Sequence, residues 1–225
     1  MIKNLLLITS LIVTISCNSR NESSAQSKSF DLFISHFQSI QLPFIIETEQ
    51  QFPYYMKYDS VTYTHYRDTT YKNIAPPLLQ FLHEDSSKVS QYSYRFGKVL
   101  FKNEDALALI YLRDSLDKDG DLDNTWLFLS TYKRTGELIN RITLGGYYFD
   151  NIYQFCSINA NLYVTTRNFK YIADDTYESA FKSRLKQIDY QITEKGIIKK
   201  LTVSDTIKYF RHDKIGRYVD YVKKD

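Results

Sequence analysis

Apolar and polar residues alternate along most of the second half of the chain. Ile188, Tyr190 and Ile192 fall on one side of such an alternation, with polar residues between them. Successive side chains of a strand point to opposite faces, so a period of two predicts β-strands that are buried on one face. The predicted strands are Tyr92–Phe101, Ala106–Arg113, Thr125–Tyr132, Leu138–Leu144, Phe155–Asn159, Leu162–Phe169, Leu185–Thr193 and Ile197–Val203.

A helical period precedes these strands. Phe30, Phe33 and Phe37 recur on one face of a 3.6-residue period, which predicts an amphipathic helix over Phe30–Gln41. Proline suits the first turn of a helix, so a second short helix is predicted from Pro76 or Pro77 to about His83. The two predicted helices therefore lie before all eight of the predicted strands.

The connections between the strands favour hairpins. They are short and contain glycine or asparagine, as at Arg134–Glu137, Asn159–Asn161 and Glu194–Gly196. Consecutive hairpins without intervening helices predict an antiparallel meander, and the N-terminal helices would cover one face or one end of it. The predicted class is α+β with one β-rich domain over residues 29–225, and a small β-barrel or a propeller-like stack of hairpins are the alternatives.

The first residues have the pattern of an export signal. A basic residue, Lys3, is followed by an apolar run from Leu5 to Ile15. This run is too short for a membrane-spanning helix, which needs about 20 apolar residues. The residues that close it, Val13-Thr14-Ile15-Ser16-Cys17, resemble the lipobox of bacterial lipoproteins, although Thr14 stands where leucine is usual.

The lipobox resemblance implies export from the cytoplasm and a lipid anchor in a membrane. Residues 1–16 would be removed, Cys17 would carry the lipid, and the polar stretch 17–28 would be a tether. Asn18 is not the aspartate that marks retention at the inner membrane in some bacteria, which favours the outer membrane. An ordinary secretory signal with a chance cysteine is the alternative. A lipidated Cys17 would leave Cys156 without a disulfide partner, and its apolar surroundings favour a small buried side chain.

Composition supports a β-rich fold and leaves the ligand open. The chain has 20 tyrosines and 14 phenylalanines against 7 glycines, and aromatic residues favour strands. Tyrosines that stack on sugars are the functional alternative for this excess. The net charge is only +3, so no strongly charged partner such as nucleic acid is indicated. Residues 182–225 are nevertheless basic, with twelve bases and six acids, which predicts either a solvated face or an attraction to anionic lipid.

An acidic stretch, Arg113–Asn124, is the most concentrated polar feature of the chain. Alternating oxygen ligands suit calcium, and the stretch resembles an EF-hand loop in part. Ser115 is a poor first ligand, however, and Trp126 stands where the bidentate glutamate belongs. A solvated hairpin loop explains the same residues without a metal. The weak calcium candidates are Asp117, Asp119, Asp121 and Asp123.

No complete catalytic motif occurs in the chain. The four histidines are scattered, there is no G-x-S-x-G elbow, and S-x-x-K at Ser130–Lys133 and Ser183–Lys186 lacks its companion motifs. We therefore expect no cofactor and a lipid-anchored envelope protein that binds a protein or glycan ligand without catalysis. An envelope hydrolase acting on glycans and a toxin-binding immunity lipoprotein are the alternatives.

Overall fold

The structure is a computed structural model. It describes residues 28–48, 51–52, 54–59, 62–84, 91–116, 122–148, 152–177, 180–214 and 217–221. A helix, α1, covers residues 28–35, and a 3₁₀ helix, η1, covers Pro76–Leu82. Neither of these helices has the length and hydrophobicity that a membrane crossing requires.

Thirteen strands are described. They are β1 (Gln38–Ser39), β2 (Phe44–Ile46), β3 (Tyr54–Asp59), β4 (Thr62–Arg67), β5 (Tyr92–Lys102), β6 (Ala106–Leu116), β7 (Leu122–Lys133), β8 (Leu138–Tyr148), β9 (Ile152–Ile158), β10 (Tyr163–Tyr177), β11 (Ala180–Ile192), β12 (Ile198–His212) and β13 (Tyr218–Tyr221). All eight predicted strands are therefore confirmed, and most of them extend beyond the predicted ends.

The predicted first helix is too long at its C-terminal end. The structure ends α1 at residue 35, and Gln38 and Ser39 form β1, which pairs parallel to β5. Ile40 continues this contact, because its N–H donates to the carbonyl of Val99 at 3.3 Å. The chain leaves the helix because the open edge of β5 offers backbone partners that the apolar period of the sequence does not reveal.

The strands form one large sheet and a separate hairpin. The order in the large sheet is β1-β5-β6-β7-β8-β9-β10-β11-β12-β13, with β2 beside β9, whereas β3 pairs only with β4. All the pairings from β5 to β13 are antiparallel, which confirms the meander. The fold is mostly β rather than α+β, because the helices are two short elements laid on a sheet of eleven strands. The sheet path is open and continuous, so the alternative of a closed barrel was wrong, and the strands do not divide into separate blades.

The first half of the sheet, β5–β8, is covered on both faces. Side chains of β6 alternate between two cores and almost all of them are fully buried. One face packs against α1 and η1 and forms the helix-side core, which includes Leu107, Leu109 and Tyr111 with Phe30, Phe33 and Phe81. The other face packs against β9–β12 and forms the inter-sheet core, which includes Ala108, Ile110 and Leu112 with Ile158, Val164 and Ile192.

The second half, β9–β13, is much more exposed. In β12, the residues from Lys199 to Lys208 are all exposed, and β13 pairs only with Tyr209–His212. A register shift separates the pair Asp189–Thr202 from Tyr190–Lys200, and this bulge at Leu201 interrupts the alternation of β12. The bulge explains why Lys199 breaks the apolar pattern of the predicted strand.

Candidate functional site

Most of the predicted site residues lie outside the described structure. Cys17 precedes residue 28, and Asp117, Asp119 and Asp121 fall in the gap at 117–121. Asp123 belongs to β7, but its side chain is outside the described residues. The calcium hypothesis and the lipidation of Cys17 therefore stay predictions.

The acidic stretch as a whole is not a loop. Its first residues, through Leu116, extend β6, and Leu122–Asn124 begin β7. Asp114 is fully buried and accepts two hydrogen bonds from the Arg95 guanidinium, from Nε at 2.6 Å and Nη2 at 2.7 Å. Thr125 Oγ1 donates to the same carboxylate at 2.7 Å. Asp114 is thus part of a buried structural ion pair, and it is unavailable to a metal in solvent.

The nucleophile candidates are also accounted for by packing. Ser130 is buried, while Lys133 points away from it and pairs with Glu137 at 2.8 Å. Ser183 is likewise buried, and Lys186, three residues later in β11, is exposed on the opposite face. Cys156 is 3 % exposed, and burial raises the pKa of its thiol to about 12, which keeps the thiol protonated and unreactive.

A second polar cluster fastens η1 to the sheet. Glu84 follows this helix and accepts a hydrogen bond from Arg141 Nη1 at 2.5 Å, with Arg113 Nη1 at 3.6 Å. Arg141 Nη2 also donates to the carbonyls of Leu82 and His83, at 2.6 and 3.1 Å. These carbonyls end the 3₁₀ helix and would otherwise lack partners. The cluster therefore has a structural role.

An open cleft lies at one end of the second half of the sheet. It has a volume of about 170 Å³, and its lining residues come from the end of β2, from β9 and β10, and from β13 and the turn before it. They are Glu47, Phe155, Arg167, Phe169, Arg217, Tyr218 and Val219. A narrow hollow of about 10 Å³, just large enough for a water-sized group, shares Glu47, Phe155 and Arg167 with the cleft. We call the two together the Arg167 cleft.

Aromatic rings form one wall of the Arg167 cleft. Tyr218 is central, because its ring centroid lies 5.3 Å from that of Phe155 and 4.8 Å from that of Phe169. Phe155 and Phe169 are each 3 % exposed, so they are held rigidly in the core below the cleft. The sheet is strongly curved here, since β13 and β9 are distant in strand order and yet their side chains touch.

The charged groups of the cleft are unequally paired. Arg217 is held by Asp213, whose Oδ2 lies 2.8 Å from Nε, and its Nη1 is 3.9 Å from Glu47 Oε2. The hydrogen bond and charge of Asp213 raise the pKa of Arg217 above its usual value. Arg167 makes no side-chain hydrogen bond or ion pair within the part of the chain that the structure describes. Among the described residues that line the cleft, Arg167 is therefore the cation with hydrogen-bond donors left for an anion.

The strand positions beside Arg167 carry one aromatic side chain and several polar ones. Phe155 on β9 and Gln187 on β11 lie opposite Arg167 in the register. Next to this row, Asp189 accepts from Thr165 Oγ1 at 2.8 Å, from Thr202 Oγ1 at 2.5 Å and from Gln187 Nε2 at 3.2 Å. Partial burial acts to raise the pKa of Asp189, but these hydrogen bonds and the Arg167 charge outweigh it, so the pKa is lowered. Asp189 stays ionised and already satisfied by its donors.

This arrangement contains groups that can recognise an anion. The planar guanidinium of Arg167 can form two parallel hydrogen bonds to a carboxylate, and the rings beside it can pack against an apolar surface. Glu47 is the single carboxylate among the described residues that line the cleft, whereas glycoside hydrolysis uses a pair. The thiol that reaches the hollow, Cys156, is protonated.

Sequence reasoning did not single out the residues of this cleft. The one local signal was the position of Arg167 in β10. It lies two residues before Phe169, so the two side chains are on the same face of the strand. Glu47 and Arg217 lie far from Arg167 in sequence and carry no motif. Only the curvature of the sheet brings the three together.

No metal site accompanies the cleft in the part of the chain that the structure covers. Across the described ranges, no three His, Cys, Asp or Glu side chains gather into a group that could hold a metal ion. A comparison of the chain with known proteins finds no family model, no curated protein and no solved structure that matches it.

Proposed function

We propose that this chain is a lipid-anchored protein of the bacterial envelope, held at the outer membrane, whose domain binds a ligand without catalysis. The lipobox resemblance at Val13–Cys17 supports the anchor. One observation carries the binding role: Arg167, which makes no hydrogen bond or salt bridge with the described residues, lies in an open cleft beside buried aromatic rings.

The chemistry of the Arg167 cleft favours a ligand that presents a carboxylate on a small ring. Two arginines and one glutamate give the lining a net positive charge, and Arg217 is already shared between Asp213 and Glu47. A volume of about 170 Å³ is smaller than a typical drug-sized pocket, so it accepts a single sugar acid or one residue of a larger ligand. An acidic sugar of an envelope glycan meets these requirements.

The binding role is tested with a pair of probes that differ in charge. The probes are sodium glucuronate and glucose, titrated by calorimetry into the chain from Cys17 to Asp225 with Cys17→Ser. This chain contains every described residue. We expect glucuronate to bind and glucose to bind much more weakly. Arg167→Gln should weaken glucuronate by at least about tenfold, because a hydrogen bond to a charged group is lost.

Lys170→Gln is the matched control for this loss. Lys170 lies on β10 three residues from Arg167, is exposed and points to the opposite face of the sheet, so its loss removes the same charge outside the cleft. The control should bind glucuronate like the wild type. Equal binding of glucose and glucuronate, or an equal loss in both variants, would show that Arg167 does not recognise a carboxylate.

The anchor is tested separately, in cells. Mass spectrometry of the N-terminal peptide from the full chain should show Cys17 as the first residue with a diacyl or triacyl modification. Cys17→Ser should release the protein from the membrane fraction. An unmodified peptide that begins at another residue would contradict the anchor and leave the ligand site untouched.

A further inference from the structure

Beyond the inter-sheet core, the face of β10–β12 that bears Val164 and Ile192 continues into solvent and carries apolar and basic side chains in a regular array. In the register, Lys170, Arg184 and Ile207 lie side by side across the three strands. The next row on this face carries Lys186 and Asp205, and the row after it carries Ile188 and Val203. We call this face the β12 surface. Its members are Lys170, Arg184, Lys186, Ile188, Lys200, Leu201, Val203, Asp205 and Ile207.

Three large apolar side chains of the β12 surface are open to solvent. Ile207 is 58 % exposed, Leu201 is 50 % exposed and Val203 is 48 % exposed. Single exposed apolar residues are common, but three along one strand with no cover from the described residues are not explained by packing. They are not part of the inter-sheet core, so they give this face an apolar strip that another surface can cover.

The charge around these apolar side chains is positive. Four basic residues share the surface with one acid, and that acid, Asp205, is already paired with Arg184 at 2.7 Å. Lysine and arginine side chains around exposed apolar tips match a bilayer that carries anionic headgroups above a hydrocarbon layer. Three bases of the basic C-terminal segment, Arg184, Lys186 and Lys200, lie on this face together with Lys170.

Pairing of β12 with a strand of another protein is disfavoured. The bulge at Leu201 interrupts the free edge, and Lys199, Lys200 and Lys208 along it oppose addition of a further strand. The face of the strand, rather than its edge, is therefore the part that is suited to contact.

The start of the described chain lies at the end of the molecule where β12 begins. Phe30 in α1 packs on Gly136 in the β7–β8 turn, where a Cβ atom would be 3.0 Å from the ring. Gly196 in the β11–β12 turn packs on Ile139, where a Cβ atom on the glycine would be 2.9 Å from the Ile139 side chain. The N–H of Ile198 donates to Asn140 Oδ1 at 3.0 Å, so the two turns lie side by side. The residues between Cys17 and α1 could span at most about 40 Å, so an anchor on Cys17 would hold this end near the bilayer.

We infer that the β12 surface docks onto an anionic lipid bilayer, with Leu201, Val203 and Ile207 reaching the interface and the basic residues contacting headgroup phosphates. The orientation argument rests on the proposed anchor, whereas the composition of the surface does not. Docking would hold the tethered domain in one orientation relative to the membrane.

The test measures vesicle binding by the unlipidated chain from Cys17 to Asp225 with Cys17→Ser. The vesicles are phosphatidylcholine alone and phosphatidylcholine mixed with phosphatidylglycerol, and binding is followed by cosedimentation. We expect binding to the anionic vesicles only. The double variant Lys170→Gln, Lys186→Gln should weaken it about 20- to 30-fold, since each lysine near an anionic surface contributes roughly fivefold.

A second double variant provides a control of equal charge. Lys199 and Lys208 lie on the same strand but on the opposite face, so Lys199→Gln with Lys208→Gln removes the same charge from outside the β12 surface. It should bind several-fold more tightly than the first double variant. Val203→Ser with Ile207→Ser should also weaken binding, while circular dichroism shows an unchanged fold for all three.

Two results would overturn the inference. One is the absence of binding to anionic vesicles by the wild-type chain, and the other is an equal loss in both lysine double variants. A wild-type dimer on size exclusion that Val203→Ser with Ile207→Ser dissociates, without vesicle binding, would assign the surface to a second copy instead. These results are independent of the proposed function, because acylation of Cys17 and glucuronate binding are measured separately.

Discussion

The two halves of the large sheet use the same antiparallel pairing and differ in what covers them. In β5–β8 the central strand β6 is buried on both faces, by the helices on one side and by the second half on the other. In β9–β13 the inner ends of the strands are buried, but β12 is exposed on both faces over ten residues. The first half is therefore the more deeply buried one, while the second half also presents a cleft and a surface.

The ion pairs of the two halves show the same contrast. Arg95 and Asp114 in the first half are both 0 % exposed, whereas Arg184 and Asp205 in the second half are 59 % and 37 % exposed. Both pairs are bidentate with nearly equal distances. Geometry alone thus says little about stability, because the cost of breaking a pair depends on whether water can replace the lost partner.

The largest expected effect comes from breaking the buried pair. Asp114→Ala should lower the free energy of unfolding by about 3–5 kcal/mol, because it leaves the Arg95 guanidinium buried without a counter-charge. Asp205→Ala is the matched variant in the second half and should leave the urea midpoint close to that of the wild type. Similar midpoints for the two variants would mean that the first half is not the more deeply buried one.

Truncation of an apolar side chain should separate the halves again. Leu109→Ala opens a cavity in the helix-side core and should cost about 2–5 kcal/mol. Val203→Ala removes methyl groups from a side chain that is 48 % exposed and should change stability by no more than about 0.5 kcal/mol. Urea unfolding measures both, and a large loss for Val203→Ala would show that β12 is covered in solution.

The smallest expected effect is a pH dependence at the aromatic end of the second half. Burial against Phe181 and Tyr218 lowers the pKa of His212, and Asp213 opposes this only in part. The unfolded chain then takes up a proton more readily than the folded chain as the pH falls through about 6.5. Stability should therefore decline slightly below this pH, and His212→Gln should reduce the decline. If the His212→Gln variant loses the same stability at low pH as the wild type, the pH dependence comes from other groups.

Local patterns predicted the strands well, for a physical reason. Tertiary packing buries the same face of Leu185–Thr193 that the alternation of Ile188, Tyr190 and Ile192 marks as apolar, so local and global preferences agree. Local and global preferences disagree after α1. Phe37 fits a helical period, but the open edge of β5 supplies backbone partners to the residues that follow. The acidic stretch also misled, because a charged residue in a strand pattern does not reveal a buried partner nineteen residues earlier.

The cleft lay beyond prediction for a different reason. Arg167, Glu47 and Arg217 share no spacing, and their meeting depends on how far β9–β13 curve. Residue types identify groups able to bind an anion, but only their arrangement in space shows that Arg167 faces a cleft beside Glu47 and Arg217.

By itself the sequence determined the antiparallel meander and the positions of its turns, because period-two alternation and turn residues act locally. The pattern that predicts an export signal and the lipobox resemblance also come from the sequence, because they are linear patterns and need no fold. The tertiary structure decided that the sheet stays open, that β6 is buried on both faces, and that Asp114 turns inward to Arg95. It likewise decided that Arg167 faces an open cleft and that basic and apolar side chains share the β12 surface. Those outcomes depend on long-range packing, which no local pattern of residues encodes.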